Sequence, residues 1–414
     1  MSDAGLIPQT LGTAVPNQTL AALFWRFLGF GLLAWGGPVA QIAMLRRELV
    51  ERERWISSER FNRTLAVYQV LPGPEAHEVC VYFGYLARGR IGGVIAGFGF
   101  MLPGLIAMLG LSWFYLNIGI DSPLALAFFA GAQAAVLALI VRAVHRIGAH
   151  AVTDRWLGMI ALLVAIAALV GVHFAVVLSM AGASYFLISR RLVPVALAAL
   201  FATGVLTTVV ALYNPGLPPI TTSGLRATEP AGAGLEAPAA LFASGLKAGL
   251  LTFGGAYTAI PFLEADAVES GWMTSRTFLD GVALSGILPA PLIIFATFVG
   301  YVAGGLVGAL AITVGVFGPA FAFTLVGHRQ LERLVENRSM HAVLDGVTAG
   351  VVGLIAASAL LLLPVAVRSV FGATIFGVAL ALLYWWRSGK AVVIAVLGSG
   401  IAGLALYVIL GATV

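Results

Sequence analysis

Leu71-Pro72-Gly73-Pro74-Glu75 interrupts one apolar stretch of the chain, and Leu288-Pro289-Ala290-Pro291 interrupts another. Two prolines one small residue apart cannot continue a helix, because each lacks an N–H and collides with the preceding turn. The residue before each proline is also pushed toward extended backbone. One helix therefore ends near Val70 and its counterpart near Leu288. A new helix can start with Pro74 or Pro291 at its first position, where a missing N–H costs nothing.

Working outward, both breaks lie in sequence made for lipid. The 414 residues are 60% hydrophobic and only 10% charged, where a soluble domain carries roughly a quarter charged residues. Apolar runs fall at about 23–45, 91–116, 124–144, 156–172, 174–189 and 193–213, then at 241–263, 304–326, 342–366, 370–386 and 391–413. With the proline-interrupted stretches 64–87 and 278–303, about ten to thirteen crossings are expected. The net charge of +5 lies between apolar runs and reads as an orientation signal, with no nucleic-acid partner implied. The single cysteine, Cys80, excludes disulfide frameworks and cysteine-rich metal sites; neither metal nor cofactor is expected. Residues 1–22 read as an N-terminal tail without the pattern of a cleavable signal. The polar stretch 214–240, rich in Pro, Gly, Ser and Thr, reads as a linker. It divides a first repeat with a connecting span (23–213) from a second repeat (241–414).

The two halves align directly. Gly36-Gly37 matches Gly254-Gly255, Phe61 matches Phe278, and the proline breaks match each other. Gly84-Tyr85, Gly92 and Pro103 match Gly300-Tyr301, Gly308 and Pro319; Gly131 and Val136 match Gly346 and Val351. The expected fold class is an all-α polytopic membrane protein of two homologous repeats with proline-broken or re-entrant helices. Internal duplication in such a chain is the usual mark of a secondary transporter, with one site at the repeat interface.

A helix that starts at membrane depth leaves N–H groups unpaired, and lipid offers them no acceptor. An anion suits them, since the amides donate to it and the helix dipole favours it. Pro72, Gly73 and Pro74, with Pro289, Ala290 and Pro291, are therefore candidate substrate-binding positions. Gly36, Gly37, Gly254 and Gly255 join them as backbone that can approach closely. Glu75, His77 and Glu78 follow the first break, where the second has Leu292, Ile294 and Phe295. That asymmetry makes the first copy the candidate carrier of proton or ion coupling. Lys247, a cation inside an apolar run, is a candidate partner for the anion, whereas Arg26 suits snorkelling to the interface. Asp280 and Asp345, each followed by glycine, are expected as helix caps, and Gln41, Gln69 and Gln133 as interhelical glue. Residues 46–63 read as an amphipathic interfacial helix with Arg47–Glu51, Glu48–Arg52 and Glu59–Arg63 pairs and Trp55 at headgroup level.

Basic residues place 46–63, Arg88, Arg90, 142–155, Arg190 and Arg191 on one side, with Arg329, Arg333, Arg338, Arg387 and Lys390. The acidic 264–277 then falls opposite its first-half equivalent, so the repeats are expected to be inverted. The runs between those equivalent segments, however, include six full crossings, an even number that demands the same side.

Several stretches together resemble the chromate transporter family in its long, two-repeat form. They are FLGFGLLAWGGPVAQIAML, ELVERERW, QVLPGPEA, GYLARGRIGGVIAGFGFMLPG, TFGGAYTAIPFLEADAV and FLDGVALSGILPAPLI, spread from about Phe24 to Leu410. The resemblance implies a bacterial inner-membrane carrier of chromate, commonly acting in efflux and resistance, with sulfate as the look-alike and the proton motive force as drive. A small inorganic oxyanion, protons, the bilayer and a second copy of the chain are the expected partners. A membrane-embedded enzyme would need a nucleophile with its base or a zinc motif, and His77-Glu78-Val79 lacks the second histidine of a zinc helix. An anion channel is the other alternative.

Overall fold

The computed structural model describes residues 15–16, 18–117, 122–213, 237–326, 338–386, 388 and 390–411, and every regular element among them is helical. Helix α1 (Leu20–Leu32) starts at Thr19, whose hydroxyl accepts from the Ala22 amide. The chain turns beyond its end at Gly36 and Gly37, with φ of 92° and 81°, a left-handed backbone that residues with a Cβ rarely adopt. The chain then doubles back. Helix α2 (Pro38–Leu45), with proline at its first position, continues through a widened π turn to Arg52, and Arg26 of α1 pairs with Glu53 beyond it.

A second hairpin follows at once. Helix α3 (Ser58–Val70) runs to the proline break, and α4 (Glu75–Asn117) leaves from it. The two legs pack antiparallel: Phe61 stacks on Phe83 at 6.3 Å, and Arg60 Nε donates to Tyr82 Oη at 3.1 Å. Helix α4 is no single rod, for Arg88 (φ −145°, ψ 31°) and Gly89 (φ 61°, ψ −153°) fold it. Residues 90–117 therefore lie back along 75–87, with Gly84 against Gly92 where two bare backbones can touch.

The second half repeats this geometry. Helix α9 (Pro238–Leu250) and α10 (Ile260–Glu269) form a hairpin around Gly254 and Gly255. Its legs are tied by the Lys247–Asp266 ion pair and by Ser244 Oγ donating to Asp266 at 2.5 Å. Helix α11 (Ser275–Gly286) runs to the second break, a short 3-10 turn leaves it, and α12 (Phe295–Val326) follows. Helix α12 folds at Gly304 (φ −145°, ψ 23°) and Gly305 (φ 59°, ψ −153°), within a few degrees of the first copy. The duplication read from the sequence is thus a duplication of backbone geometry.

The remaining helices complete a mutual wrap. In the first half they are α5 (Pro123–Ala151), α6 (Arg155–Leu169), α7 (Phe174–Ser189) and α8 (Val193–Tyr213). In the second they are α13 (Arg338–Ala366), α14 (Val370–Trp385) and α15 (Lys390–Leu410). Helix α5 packs on α14 and α15, and α13 packs on α6 and α7. Gly131 of α5 lies against Ser399 of α15, and Gly346 of α13 against Ala181 of α7. Helices α6 and α7 thereby cover the second repeat's long helix, α14 and α15 cover the first repeat's, and among the described residues α8 has no counterpart.

The equivalent stretches 90–117 and 306–326 decide the relative orientation. Gly93 lies against Leu325 and Gly97 against Phe321, so one number rises as the other falls. Equivalent helices that run antiparallel require inverted repeats. The parity conflict disappears because 241–263 is not a crossing; it bends back at Gly254-Gly255, as 23–45 does at Gly36-Gly37. Five traversing stretches (90–117 and α5 to α8) then separate the equivalent segments, and an odd number inverts them. With inverted repeats, the described residues hold nine stretches placed to traverse and four hairpins that enter and leave on one face. Among the described residues five helices are long and apolar enough to span by length and composition alone: Glu75–Asn117, Pro123–Ala151, Leu292–Val326, Met340–Ala366 and Lys390–Ile409. The chain is a multi-pass membrane protein.

Other expectations need correction. Residues 46–63 form no single interfacial helix: the π turn ends at Arg52 and α3 starts at Ser58. Arg52–Glu48 and Arg63–Glu59 pair as expected, but Glu51 takes Arg46 instead of Arg47. Trp55 is buried against Phe83, its Nε1 donating to Glu53 at 2.8 Å, because the hairpin legs need a large apolar wedge there. Asp280 is no cap, since Thr274 caps α11. It is buried and accepts hydrogen bonds from Tyr115 Oη and Gln133 Nε2, both at 2.7 Å. One carboxylate so fastens the second break's hairpin to α4 and α5. Asp345 is exposed within α13 and caps nothing described. Gln41 and Gln133 do bridge helices, whereas Gln69 is exposed. Residues 214–236 of the linker, most of the tail, and Arg329, Arg333 and Arg387 lie outside the described residues; α9 begins at Pro238.

Two measurements check this fold. In membranes of known sidedness, Arg47→Cys and Ser270→Cys, both at exposed positions, will react with an impermeant maleimide from opposite faces; the native thiol Cys80 is buried. Labelling from one face would rule out inversion. Asp280→Ala strands two buried donors, each worth about 1–3 kcal/mol. Its thermal midpoint in detergent will fall well below that of Asp345→Ala, and equal midpoints would refute the fastening role.

Candidate functional site

The four hairpins carry their tips into the interior, and the contacts there are reciprocal. Gly73 at the first proline break lies 3.5 Å, measured from a Cβ built on it, from the Ala320 methyl of α12. Ala290 at the second break lies against Gly104 of α4. Gly104 and Ala320 are one residue beyond the matched Pro103 and Pro319, so each break rests at the same place on the other repeat. The two glycine turns meet as well, with Pro38 Cγ 4.0 Å from a Cβ built on Gly255.

Hydrogen bonds fasten each proline break to the end of the other repeat's first helix. The Gly73 amide donates to the Thr252 carbonyl at 2.8 Å. At the matching place in the first half, Gln41 Nε2 donates to both Ala34 O (2.9 Å) and Ala290 O (3.0 Å). Thr252 and Ala34 are equivalent residues, two before their glycine pairs. One latch is pure backbone; the other needs a side chain, because Ala259 stands where the first half has Gln41. Two carbonyl acceptors fix the Gln41 amide nitrogen, which leaves its oxygen buried and unbonded.

The breaks expose the donors that their chemistry demands. At the first, Pro74 O accepts from the His77 and Glu78 amides at 2.8 and 3.1 Å. The amides of Glu75 and Ala76 take no acceptor among the described residues. At the second, Pro291 O accepts from Ile294 at 2.9 Å, and the Leu292 and Ile293 amides are left in the same state. The sequence-level candidates Gly36, Gly37, Pro72, Gly73, Pro74, Gly254, Gly255, Pro289, Ala290 and Pro291 thus fall at the tips of converging hairpins.

Glu75, His77 and Glu78 are all buried on the first turn of α4. The His77 ring sits between Phe317 and Phe321 of α12, with centroids 5.0 and 4.7 Å away. Neither Glu78 carboxylate oxygen has a hydrogen-bond partner among the described residues, and the His77 ring faces the Gly97 backbone. Glu78 Oε1 lies directly under the break, 2.8 Å from where a Cβ on Gly73 would be. Any side chain at position 73 would displace it, and Gly73 in addition has a φ of 152°. Lys247 does not join this group. Its ammonium is paired with Asp266 and lies 5.0 Å from the Phe174 ring centroid, so its charge is spent inside its own hairpin. Among the described residues no cluster of histidine, cysteine and carboxylate groups could hold a metal ion.

Sequence reasoning missed two things here. Gln41 was expected as interhelical glue, which it is, but its partner at the second break, the Ala290 carbonyl, depends on the fold. The reciprocal seats at Gly104 and Ala320 were also missed; their small residues, one beyond matched prolines, were the available sign.

Comparison with known proteins agrees with this architecture. The family described as "Chromate transporter" matches residues 21–224 and 239–404. A chromate transport protein of Pseudomonas aeruginosa is 55% identical over 396 residues, covering 95% of this chain and 94% of that protein. A chromate transport protein of Cupriavidus metallidurans is 29% identical over 95% of each chain. An uncharacterized transporter of Methanocaldococcus jannaschii is 28% identical over 89% of this chain and 90% of its own. No solved structure matches. Two matched regions, one in each half, with a relative 55% identical over nearly the whole length, show that this chain belongs to the chromate transporter family.

Proposed function

We propose that the chain is a secondary active transporter of a tetrahedral oxyanion, with chromate as substrate and sulfate as look-alike. It exports the ion across a bacterial inner membrane under the proton motive force. The observation that carries this reading is the set of unsatisfied amides at the two proline breaks, each seated on the opposite repeat. Backbone donors at membrane depth call for an anion, and inverted repeats supply a way to expose it alternately to either face. The ring comprises Gly36, Gly37, Pro72, Gly73, Pro74, Gly254, Gly255, Pro289, Ala290 and Pro291. Lys247 is left out because Asp266 already neutralises it.

Coupling falls to Glu75, His77 and Glu78. An ionised carboxylate buried without a partner is costly, so Glu78 is suited to exchange a proton or other cation as the break moves. The basic residues collect on the face that holds 46–63, 88–90 and the end of α5, which assigns that face to the cytoplasm. Association of two copies in the bilayer belongs to the same proposal.

Reconstituted vesicles under an imposed proton gradient test the reading. Wild type will accumulate chromate or sulfate, and Pro74→Ala will reduce flux at least tenfold; absence of flux in wild type, or a Pro74→Ala variant equal to it, would sink the proposal. Glu78→Gln will keep substrate counterflow while losing gradient-driven accumulation. Accumulation by Glu78→Gln at the wild-type level would remove this residue from the coupling role.

A further inference from the structure

Arg142 and Arg146 stand one helical turn apart on α5 and share a face. Among the described residues neither makes an ion pair or side-chain hydrogen bond; the ion pairs are all made by other cations. Arg142 is half-buried and Arg146 exposed, in the last turns of α5. The same stretch of helix abuts the second glycine turn: Ile147 Cγ2 is 3.5 Å from a Cβ built on Gly254.

The surroundings place the two charges between elements of both repeats. Tyr257, just past the glycine turn, lies within electrostatic reach of both guanidinium groups. Glu75, at the first proline break, lies within reach of Arg146. The other ionisable groups on this turn of α5 are engaged elsewhere. His145 is hydrogen-bonded to Tyr384 Oη at 2.9 Å, and His150 Nδ1 to the Arg146 carbonyl at 2.8 Å. The alignment of Gly131 with Gly346 and Val136 with Val351 puts Ala357 and Leu361 at the equivalent places on α13. The charge is therefore supplied by one repeat alone. Two arginines that have no hydrogen-bonded carboxylate among the described residues, beside the second glycine turn, offer planar forked donors to a tetrahedral anion.

We propose that Arg142 and Arg146 form a capture site for a divalent oxyanion at the mouth of the ring of breaks, on the face where α5 ends. The site rests on the ring assigned above and deepens it. The amides at the breaks hold the anion, and the arginine pair selects it for double charge and draws it in.

The test uses the full chain purified in detergent, with the thermal midpoint followed as sulfate, chromate or nitrate is added. Sulfate and chromate will raise the wild-type midpoint. Arg142→Gln and Arg146→Gln will each raise the half-saturating concentration about tenfold, the order expected of one charge-assisted hydrogen bond. The double Arg→Lys variant will keep most of the response, and nitrate will act only at higher concentration. If the double Arg→Gln variant fails to fold, the single variants carry the same comparison. Unchanged half-saturation in the glutamine variants, no response of wild type to either dianion, or nitrate equal to sulfate would overturn the capture site. Arginine-dependent stabilisation in a protein that moves neither ion in vesicles would overturn the transport reading and leave the capture site standing.

Discussion

Hydrocarbon offers no hydrogen-bond partner to a backbone N–H or C=O, and this constraint shapes the whole molecule. Continuous helices satisfy it internally. This chain departs from them at four turns, two of glycine pairs and two of paired prolines, and each departure creates polar groups that must be answered. The answers come from protein: Thr252 O for Gly73, Gln41 for Ala290, and the opposite repeat's small residues for shape. Irregular backbone is tolerated at depth only where protein or an internal cavity surrounds it. Hence the tips must meet one another, and the outer helices must close around them.

The same constraint explains the mutual wrap of the two halves. Neither repeat covers its own breaks, since the first break rests on α12 and the second on α4. Neither covers its own long helix either, because α14 and α15 lie on α5 while α6 and α7 lie on α13. With lipid as apolar as leucine, close backbone approach supplies much of the attraction. The glycine contacts Gly84–Gly92, Gly300–Gly308, Gly131–Ser399 and Gly346–Ala181 put that approach where the helices must hold tightest. The folded unit is therefore the pair, with a polar centre that exists only when both halves are present.

How much of this could be read from residues depended on whether the determinant was local. The proline breaks were legible because Pro-x-Pro forbids helix through its own covalent geometry. The repeat was legible because glycines and prolines punctuate both copies alike. The hairpin at Gly254-Gly255 was not, since hydropathy over 241–263 is the same whether the chain crosses or returns; the left-handed glycine backbone, the Ser244–Asp266 hydrogen bond and the Lys247–Asp266 pair reveal the return. That pair also explains why Lys247 looked free in sequence: its partner lies across a turn that the periodicity does not show. Asp280 followed by glycine imitates a cap, and only the approach of Tyr115 and Gln133 from other helices gives it a different role. Residues whose meaning depends on what comes from far along the chain stayed illegible.

Among the described residues helix α8 has no equivalent in the second half, and it touches neither break. Its consequence lies in parity. A unit with four traversing stretches begins and ends on the same face, so two copies joined directly would insert the same way up, and their tips would enter from one side. The added helix changes the sign. It does covalently what two separate half-length chains could do only by inserting in opposite senses and finding each other in the bilayer. The reciprocal seats at Gly104 and Ala320 thus depend on a helix that contributes to them nothing except its direction.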